Sequence, residues 1–431
     1  MVLEGLTAGD FAIEDNLDKA EAAQAYEKGG AAELARVLRK RNESWKTVPL
    51  NIAVIGNSGV GKSSYINRSR DLGAEDEGAA KVGITETTAS VHSYVHPKNP
   101  LLRYWDCPGV GTTYFPQTTY LEDIQFKRYD FYLLLSSSRF TANDQWLADQ
   151  IKKAGKKFFY VRTKCGIDVS NQRNDYPKSC TGKTDAQILQ HVRNGIIRNL
   201  DLGTAEDSII FLIDNHKPKE FDFEMLQDKL LEGLPQLKRE AFLYSLNPMG
   251  MLSKKILQNK VDALRNRVWK VALLSGVVGL VPIPGVSAGF DIGLVLAECK
   301  FYQEQLGLDP QSLALTAQMH EVDLTILMQM VSMSVPTVIG KDFLIALGKE
   351  LAVETIGQVV EEVLKFIPFI GSLVGAPLSF TLTRFMLLCI LGRMETAAKE
   401  VIDICIQKAR QLALEDTRKD CEDLRNKTPA S

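Results

Sequence analysis

Residues 56 to 64 read GNSGVGKSS and follow the apolar run LNIAVI. Gly56-Asn57-Ser58-Gly59-Val60-Gly61-Lys62-Ser63 matches the pattern GxxxxGK[ST] in full. A glycine-rich turn between a strand and a helix lets the main chain wrap closely around phosphate. Its N–H groups point inward, and the positive end of the following helix lies behind them. In such a loop Lys62 reaches the β- and γ-phosphates and Ser63 places its hydroxyl on Mg²⁺. Asn57, Ser58, Gly59, Val60, Gly61 and Ser64 complete the expected cradle. A Gly-rich turn could match by chance, but the preceding strand and following helix argue against that.

Three further stretches bear on the same chemistry. LLRYWDCPGVGTT supplies Asp106 at a strand end and then Gly109, a DxxG arrangement. A carboxylate there can hold Mg²⁺ through water, and the Gly109 N–H can contact a γ-phosphate. Between the loop and this strand, KVGITETTAS offers Thr85, Thr87 and Thr88 as candidates for a threonine that closes on metal and phosphate. Spacing alone does not choose among them. Val110 follows Gly109 where a Ras-like enzyme carries the Gln that orients the attacking water, and valine cannot do so. Turnover by the isolated chain is therefore expected to be slow, with another group or a second molecule placing the water.

Base recognition departs most from pattern. FFYVRTKCGIDVSN ends a strand at Thr163-Lys164, where a guanine-reading site has the form [NT]KxD. Gly166 stands at the acidic position, and Asp168 lies two residues further on. A loop shift would bring Asp168 to the base; otherwise selectivity is weakened. FLIDNHK places Asn215 at the next strand end, as a second base contact. Guanine is the expected base, with adenine or loss of binding as the alternatives.

The elements that must position these residues follow from texture. Apolar runs at 52–55, 101–105, 131–135, 158–161 and 209–213 alternate with polar helical stretches. That is the signature of a mostly parallel sheet covered on both faces. Residues from about 10 to 45 look helical, with Gly29-Gly30 as a turn, and the chain is helical throughout after Pro235. The expected plan is an α/β Ras-like P-loop domain over 47–235. An all-α domain is built from both chain ends, residues 1–46 and 236–431.

Bulk properties exclude little. The chain has 431 residues, 45% hydrophobic and 24% charged, with a net charge of −2. Nothing in that balance suggests a nucleic-acid partner. Seven scattered cysteines without a CxxC pair read as reduced and intracellular. The N-terminus carries no signal-peptide pattern, and Val2 rules out N-myristoylation. The apolar stretches 271–290 and 366–380 are read as buried helices, because Pro282, Pro284 and several glycines would interrupt a membrane span. Residues 377–391 admit two readings, a core helix or an amphipathic helix lying in a bilayer interface. His92 and His96 share a strand face with no third ligand in view. Cys165 is a candidate reactive thiol beside Lys164.

Taken together, NIAVIGNSGVGKSSYIN, EDEGAAKVGITETT, WDCPGVGTTYF, YDFYLLLSSSRFTANDQWLA and FYVRTK resemble the immunity-related, interferon-inducible GTPases. The resemblance covers most of 45–245 and continues more weakly through GAPLSFTLTRFMLLCILGRMETAA. It implies a Ras-like GTPase domain joined to a helical domain made from both chain ends. It also implies GTP hydrolysis through GDP- and GTP-bound states with Mg²⁺, and cooperative homo-oligomerisation through the GTPase domains. Association with related GTPases, cell-autonomous innate immunity and peripheral association of a cytoplasmic protein with intracellular membranes are further implications. Lys62 places the chain with the effector kind rather than the regulatory kind that carries Met. By motif matching Thr88 takes the switch role. On this reading Lys62, Thr88 and Gly109 are catalytic, and Ser63, Thr88 and Asp106 hold the metal. Thr163, Lys164, Asp168 and Asn215 face the base. The departures are Gly166, INRSRD in place of a sequence nearer INALRG, and Val2. The first keeps open an alternative, a nucleotide-binding scaffold that turns over weakly or not at all.

Overall fold

In a computed structural model, the structure describes residues 16–83, 90–112, 114–137, 139–200, 209–278, 292–336, 339–340, 342–344, 346–347 and 377–426. The six strands are β1 (Leu50–Gly56), β2 (His92–His96), β3 (Asn99–Asp106), β4 (Phe131–Ser136), β5 (Phe158–Arg162) and β6 (Ile210–Leu212). They lie in the order β2-β3-β1-β4-β5-β6. Only β2 runs antiparallel; the other pairings are parallel. β4 and β5 are buried along their whole length, as expected of strands covered on both faces. The edge strand β2 is largely exposed.

Each sheet face has its own packing. Phe131, Phe159 and Phe211 form an edge-to-face ladder across β4, β5 and β6, with ring centroids 4.8 and 5.0 Å apart. On the other face Ala53, Ile55, Tyr132, Leu134, Tyr160 and Leu212 meet buried residues of the covering helices. The helices of this unit are α2 (Lys62–Ser69), α3 (Gln117–Asp123), α4 (Ala142–Lys153), α5 (Cys165–Asp175), α6 (Pro177–Cys180), α7 (Asp185–Asn199), α8 (Phe223–Gly233) and α9 (Gln236–Ser245). The unit spans Trp45–Leu246. Asn99 donates to the Ala241 carbonyl at 3.1 Å, tying α9 to β3.

The register matters most for function. Val54 pairs with Asp106, Gly56 with Leu135, Ser136 with Arg162, and Arg162 with Leu212. The carboxyl ends of β1, β3, β4, β5 and β6 therefore reach one edge of the sheet together. β1 pairs with β3 on one side and β4 on the other, so the chain changes direction across that edge, where open α/β sheets place their ligands.

The second unit comprises the described residues of Met1–Ser44 and Asn247–Ser431. It is all helical: α1 (Asn16–Glu43), with α10 (Pro248–Met251), α11 (Lys254–Val278), α12 (Ile292–Leu306), α13 (Pro310–His320), α14 (Leu324–Ser334) and α15 (Pro377–Asn426). α1 is broken at Gly29-Gly30, where Gly30 has φ 62°. Leu34 and Leu38 of α1 pack with Trp269 and Leu273 of α11 and Phe380 of α15. Both chain ends thus build one core. Arg267 of α11 binds Glu298 of α12 through two bonds of 2.6 and 3.1 Å, and also the Asn42 carbonyl.

Residues Thr383–Leu391 are all buried, Arg384 included, which makes this stretch of α15 a core helix rather than an exposed amphipathic face. Among the described residues no helix is long and apolar enough to cross a membrane. Residues 279–291 and 348–376, which hold most of the two apolar stretches, lie outside the described residues.

Gly56 sets a sharp test of the sheet. Its φ is 140°, and a Cβ there would stand 2.1 Å from the Leu135 carbonyl oxygen. At Gly155 φ is 62° but the space is open. Gly155→Ala should cost about 1 kcal/mol, the left-handed penalty alone. Gly56→Ala should cost at least ~3 kcal/mol, because two segments of backbone must part. Urea denaturation followed by tryptophan fluorescence measures both; equal costs would contradict this packing.

Candidate functional site

β1 ends at Gly56 and the chain turns through Gly59 and Gly61, both with positive φ, before α2 starts at Lys62. The Lys62 ammonium, almost fully buried, bridges the loop and donates to the Asn57 carbonyl at 2.8 Å and the Gly56 carbonyl at 3.4 Å. One residue on, the Ser63 hydroxyl donates to Asp106 Oδ2 at 2.6 Å. Register explains the meeting: Asp106 pairs with Val54 of β1, so the end of β3 lies beside the start of the loop. Gly109 follows from Asp106 and brings bare main chain against the loop. A Cβ there would be 2.6 Å from the Ser58 nitrogen.

The opposite wall comes from the ends of β5 and β6. Thr163 donates to the Val60 carbonyl at 2.7 Å, Lys164 to the Gly59 carbonyl at 2.9 Å, and Asn215 to the Gly61 carbonyl at 3.2 Å. Three successive loop carbonyls are therefore each held by one residue of that wall. Lys164 reaches its partner from a left-handed backbone, φ 59°. The structure thus brings together Asn57 to Ser63, Asp106, Gly109, Thr163, Lys164 and Asn215. Ser64 lies half-buried in the first turn of α2. Asp168 is instead paired with Arg162, whose guanidinium donates to both of its oxygens at 2.7 to 3.0 Å. Thr85, Thr87 and Thr88 lie outside the described residues.

Several polar residues around the loop escaped sequence reasoning. Asn143 donates to Asn57 Oδ1 at 2.9 Å and to the Val110 carbonyl at 3.2 Å, while Gln117 donates to Asn143 Oδ1 at 2.7 Å. Asn57 in turn donates to Thr141 Oγ1 and Asp144 Oδ1 at 3.1 and 3.3 Å. Thr141 and Asp144 form the capping box of α4. The spacing T-x-x-D ahead of an apolar helix was the available signal. Burial raises the Asp144 carboxyl above its usual range against the opposing pull of the Thr141 bonds. The Val110 side chain is buried, and its carbonyl accepts from the Asn143 amide.

Two other candidates fall away. Cys165 is buried, and desolvation pushes its thiol up to about 12, the reverse of an activated cysteine. Burial pushes Cys107 up to about 12 as well. Among the described residues no group of three or more His, Cys, Asp or Glu could hold a metal, which includes His92 and His96. A cation at the Ser63–Asp106 pair would have to complete its shell with phosphate and water. A small hard ion such as Mg²⁺ binds in that way, so the residues present fit it.

Comparison with known proteins extends this picture. The interferon-inducible GTPase (IIGP) family matches residues 18–412. Interferon-inducible GTPase 5 of Rattus norvegicus is 35% identical over 377 residues, which is 88% of this chain and 80% of that protein. Its Bos taurus counterpart is 34% identical over the same shares. T-cell-specific guanine nucleotide triphosphate-binding protein 2 of Mus musculus is 34% identical over 378 residues, 86% of this chain and 85% of that protein.

The wall-to-loop clamp and the buried thiols can both be measured without ligand. Thr163→Val removes a fully buried donor bonded to Val60 and, at 3.3 Å, to Ser136. It should lower stability by about 1–2 kcal/mol in chemical denaturation. Cys107 and Cys165 should stay unmodified by a maleimide at pH 8 in the folded protein and react once it is unfolded, as mass spectrometry of tryptic peptides would show.

Proposed function

Because the chain belongs to the interferon-inducible GTPase family, we infer that it is an enzyme that binds GTP and hydrolyses it to GDP and phosphate. The observation that supports this most directly is the 2.6 Å contact of Ser63 with Asp106 beneath a glycine loop clamped on its far side. The work falls to the sheet unit, Trp45–Leu246, which extends the expected 47–235 through α9 because Asn99 of β3 holds the Ala241 carbonyl; the helical domain takes Met1–Ser44 and Asn247–Ser431.

The roles follow from the chemistry of each group. The amides of Asn57 to Ser63 wrap the phosphates, aided by the N-terminal end of α2. On GTP binding Lys62 exchanges its loop carbonyls for phosphate oxygens and offsets their charge. Ser63 and Asp106 would hold Mg²⁺, together with Thr88 by motif matching; when bound, the ion neutralises charge on the β- and γ-phosphates. The Gly109 N–H faces the γ-phosphate. On the base side Lys164 supplies its aliphatic stem and Asn215 its amide.

Hydrolysis needs a water held in line with the γ-phosphate. Val110 brings no amide or hydroxyl to that task, so the single molecule turns over slowly. A second copy, or a related GTPase, docks through the GTPase domains and completes the water's surroundings. Such a protein works in the cytoplasm, assembles on nucleotide and acts peripherally on intracellular membranes in cell-autonomous innate immunity. The family name supports interferon control of its supply.

Phosphate release by the purified full chain with GTP and Mg²⁺ tests the reading. The rate per molecule should climb as protein concentration rises. Lys62→Ala should lower it by ~10²-fold or more, since a charged donor aimed at the transferring group is lost. A specific rate that does not change with protein concentration would remove the second copy from the mechanism. Binding of GTP without any phosphate release would reduce the protein to a scaffold.

A further inference from the structure

The base-side wall lacks a side chain at Gly166, the position from which a [NT]KxD carboxylate would reach guanine. The structure puts another carboxylate in that place. Asp214, at the end of β6, accepts from the Gly166 N–H through Oδ2 at 3.1 Å and from the His216 N–H through Oδ1 at 2.9 Å. A Cβ built on Gly166 would lie 2.7 Å from Asp214 Oδ2 and 3.7 Å from its Cγ. The carboxylate of Asp214 thus occupies the direction in which a residue-166 side chain would begin. Asp168 does not, because the Arg162 guanidinium holds it in a separate cleft lined by α5 and α7.

We propose that Asp214 is the specificity-determining carboxylate for the guanine base, delivered from the β6 end in place of the acid missing at 166. This rests on the GTP-binding reading above and adds the residue that selects the base. Each oxygen of Asp214 accepts from one backbone N–H, and a carboxylate oxygen can accept a second bond. Guanine presents N1–H and the N2 amino group side by side, a matched pair of donors. Adenine has no N1–H, xanthine carries an oxygen at C2, and hypoxanthine has nothing there. Position is secured by the neighbours. Asn215 is anchored to the Gly61 carbonyl and Lys164 to the Gly59 carbonyl, so the wall carrying Asp214 keeps a set distance from the phosphate loop. The same geometry explains why residue 166 is glycine: a second acid there would collide with Asp214 and repel it.

Competition of GDP, IDP and XDP against a fluorescent GDP on the full chain tests this. The wild type should prefer GDP to IDP and to XDP by at least ~10-fold, as a site built to bond a substrate N–H rejects analogues lacking it. Asp214→Asn should weaken GDP by at least ~10-fold and strengthen XDP, because the new amide donates to the xanthine oxygen. Gly166→Asp should weaken GDP. Gly166→Asp combined with Asp214→Ser should recover it, since the serine keeps one acceptor for the backbone and clears room for the new acid. If circular dichroism shows that Asp214→Asn does not fold, the Gly166→Asp pair decides. Tighter GDP binding by Gly166→Asp alone, or no recovery in the double variant, overturns the proposal. So does a GDP-to-XDP ratio that moves with Asp168→Asn and not with Asp214→Asn. Equal binding of all three diphosphates by the wild type overturns it and leaves the GTPase reading standing. Failure to bind any of them overturns that reading and this one with it.

Discussion

Main chain must approach main chain at the carboxyl edge of the sheet, and most of the sheet unit answers to that requirement. Gly56 passes within reach of the Leu135 carbonyl, Gly109 lies on the Ser58 nitrogen, and Gly61 sits beneath Asn215 and Thr163. A side-chain carbon at the first two positions would hold the segments apart. The loop would then lose the curvature that gathers its N–H groups. The apolar strands and their register serve the same end, because they bring the ends of β1, β3, β4, β5 and β6 to a common level.

A loop of bare backbone is floppy unless something holds it. Here Val60, Gly59 and Gly61 each give a carbonyl to the β5–β6 wall, and Asn57 is held from the other side by Asn143, Thr141 and Asp144. With the carbonyls bonded outward, the loop's N–H groups need no large rearrangement to meet an anion. Such preorganisation is what makes fixed dipoles effective against developing charge. Thr163 is fully buried, so its bonds also avoid the cost of an orphaned hydroxyl.

The helical unit has a different logic. It is assembled from segments far apart in the chain, and its core is closed by α1 against α11 and by the buried run Thr383–Leu391 of α15. Those side chains, Phe385, Met386 and Leu388 among them, are already removed from water by their own unit. Contact between this run and a bilayer would require that core to open, at the expense of the apolar burial that forms it.

Local pattern carried much of this. The spacing of Gly61, Lys62 and Ser63, the DxxG at Asp106 and the apolar runs are features of contiguous residues, where backbone conformation and strand burial are set by near neighbours. Partners were another matter. Asp168 looked like a base reader because it stood near the right place in the chain, yet Arg162 holds it. Asp214 approaches Gly166 across 48 residues, and Asn143 meets Asn57 across 86. Which polar atom a buried group bonds depends on strand register and on the angle at which α4 and α5 leave the sheet. Those are properties of long-range packing, and tertiary structure alone decided them, because a hydrogen bond is satisfied by distance and direction and not by separation along the chain.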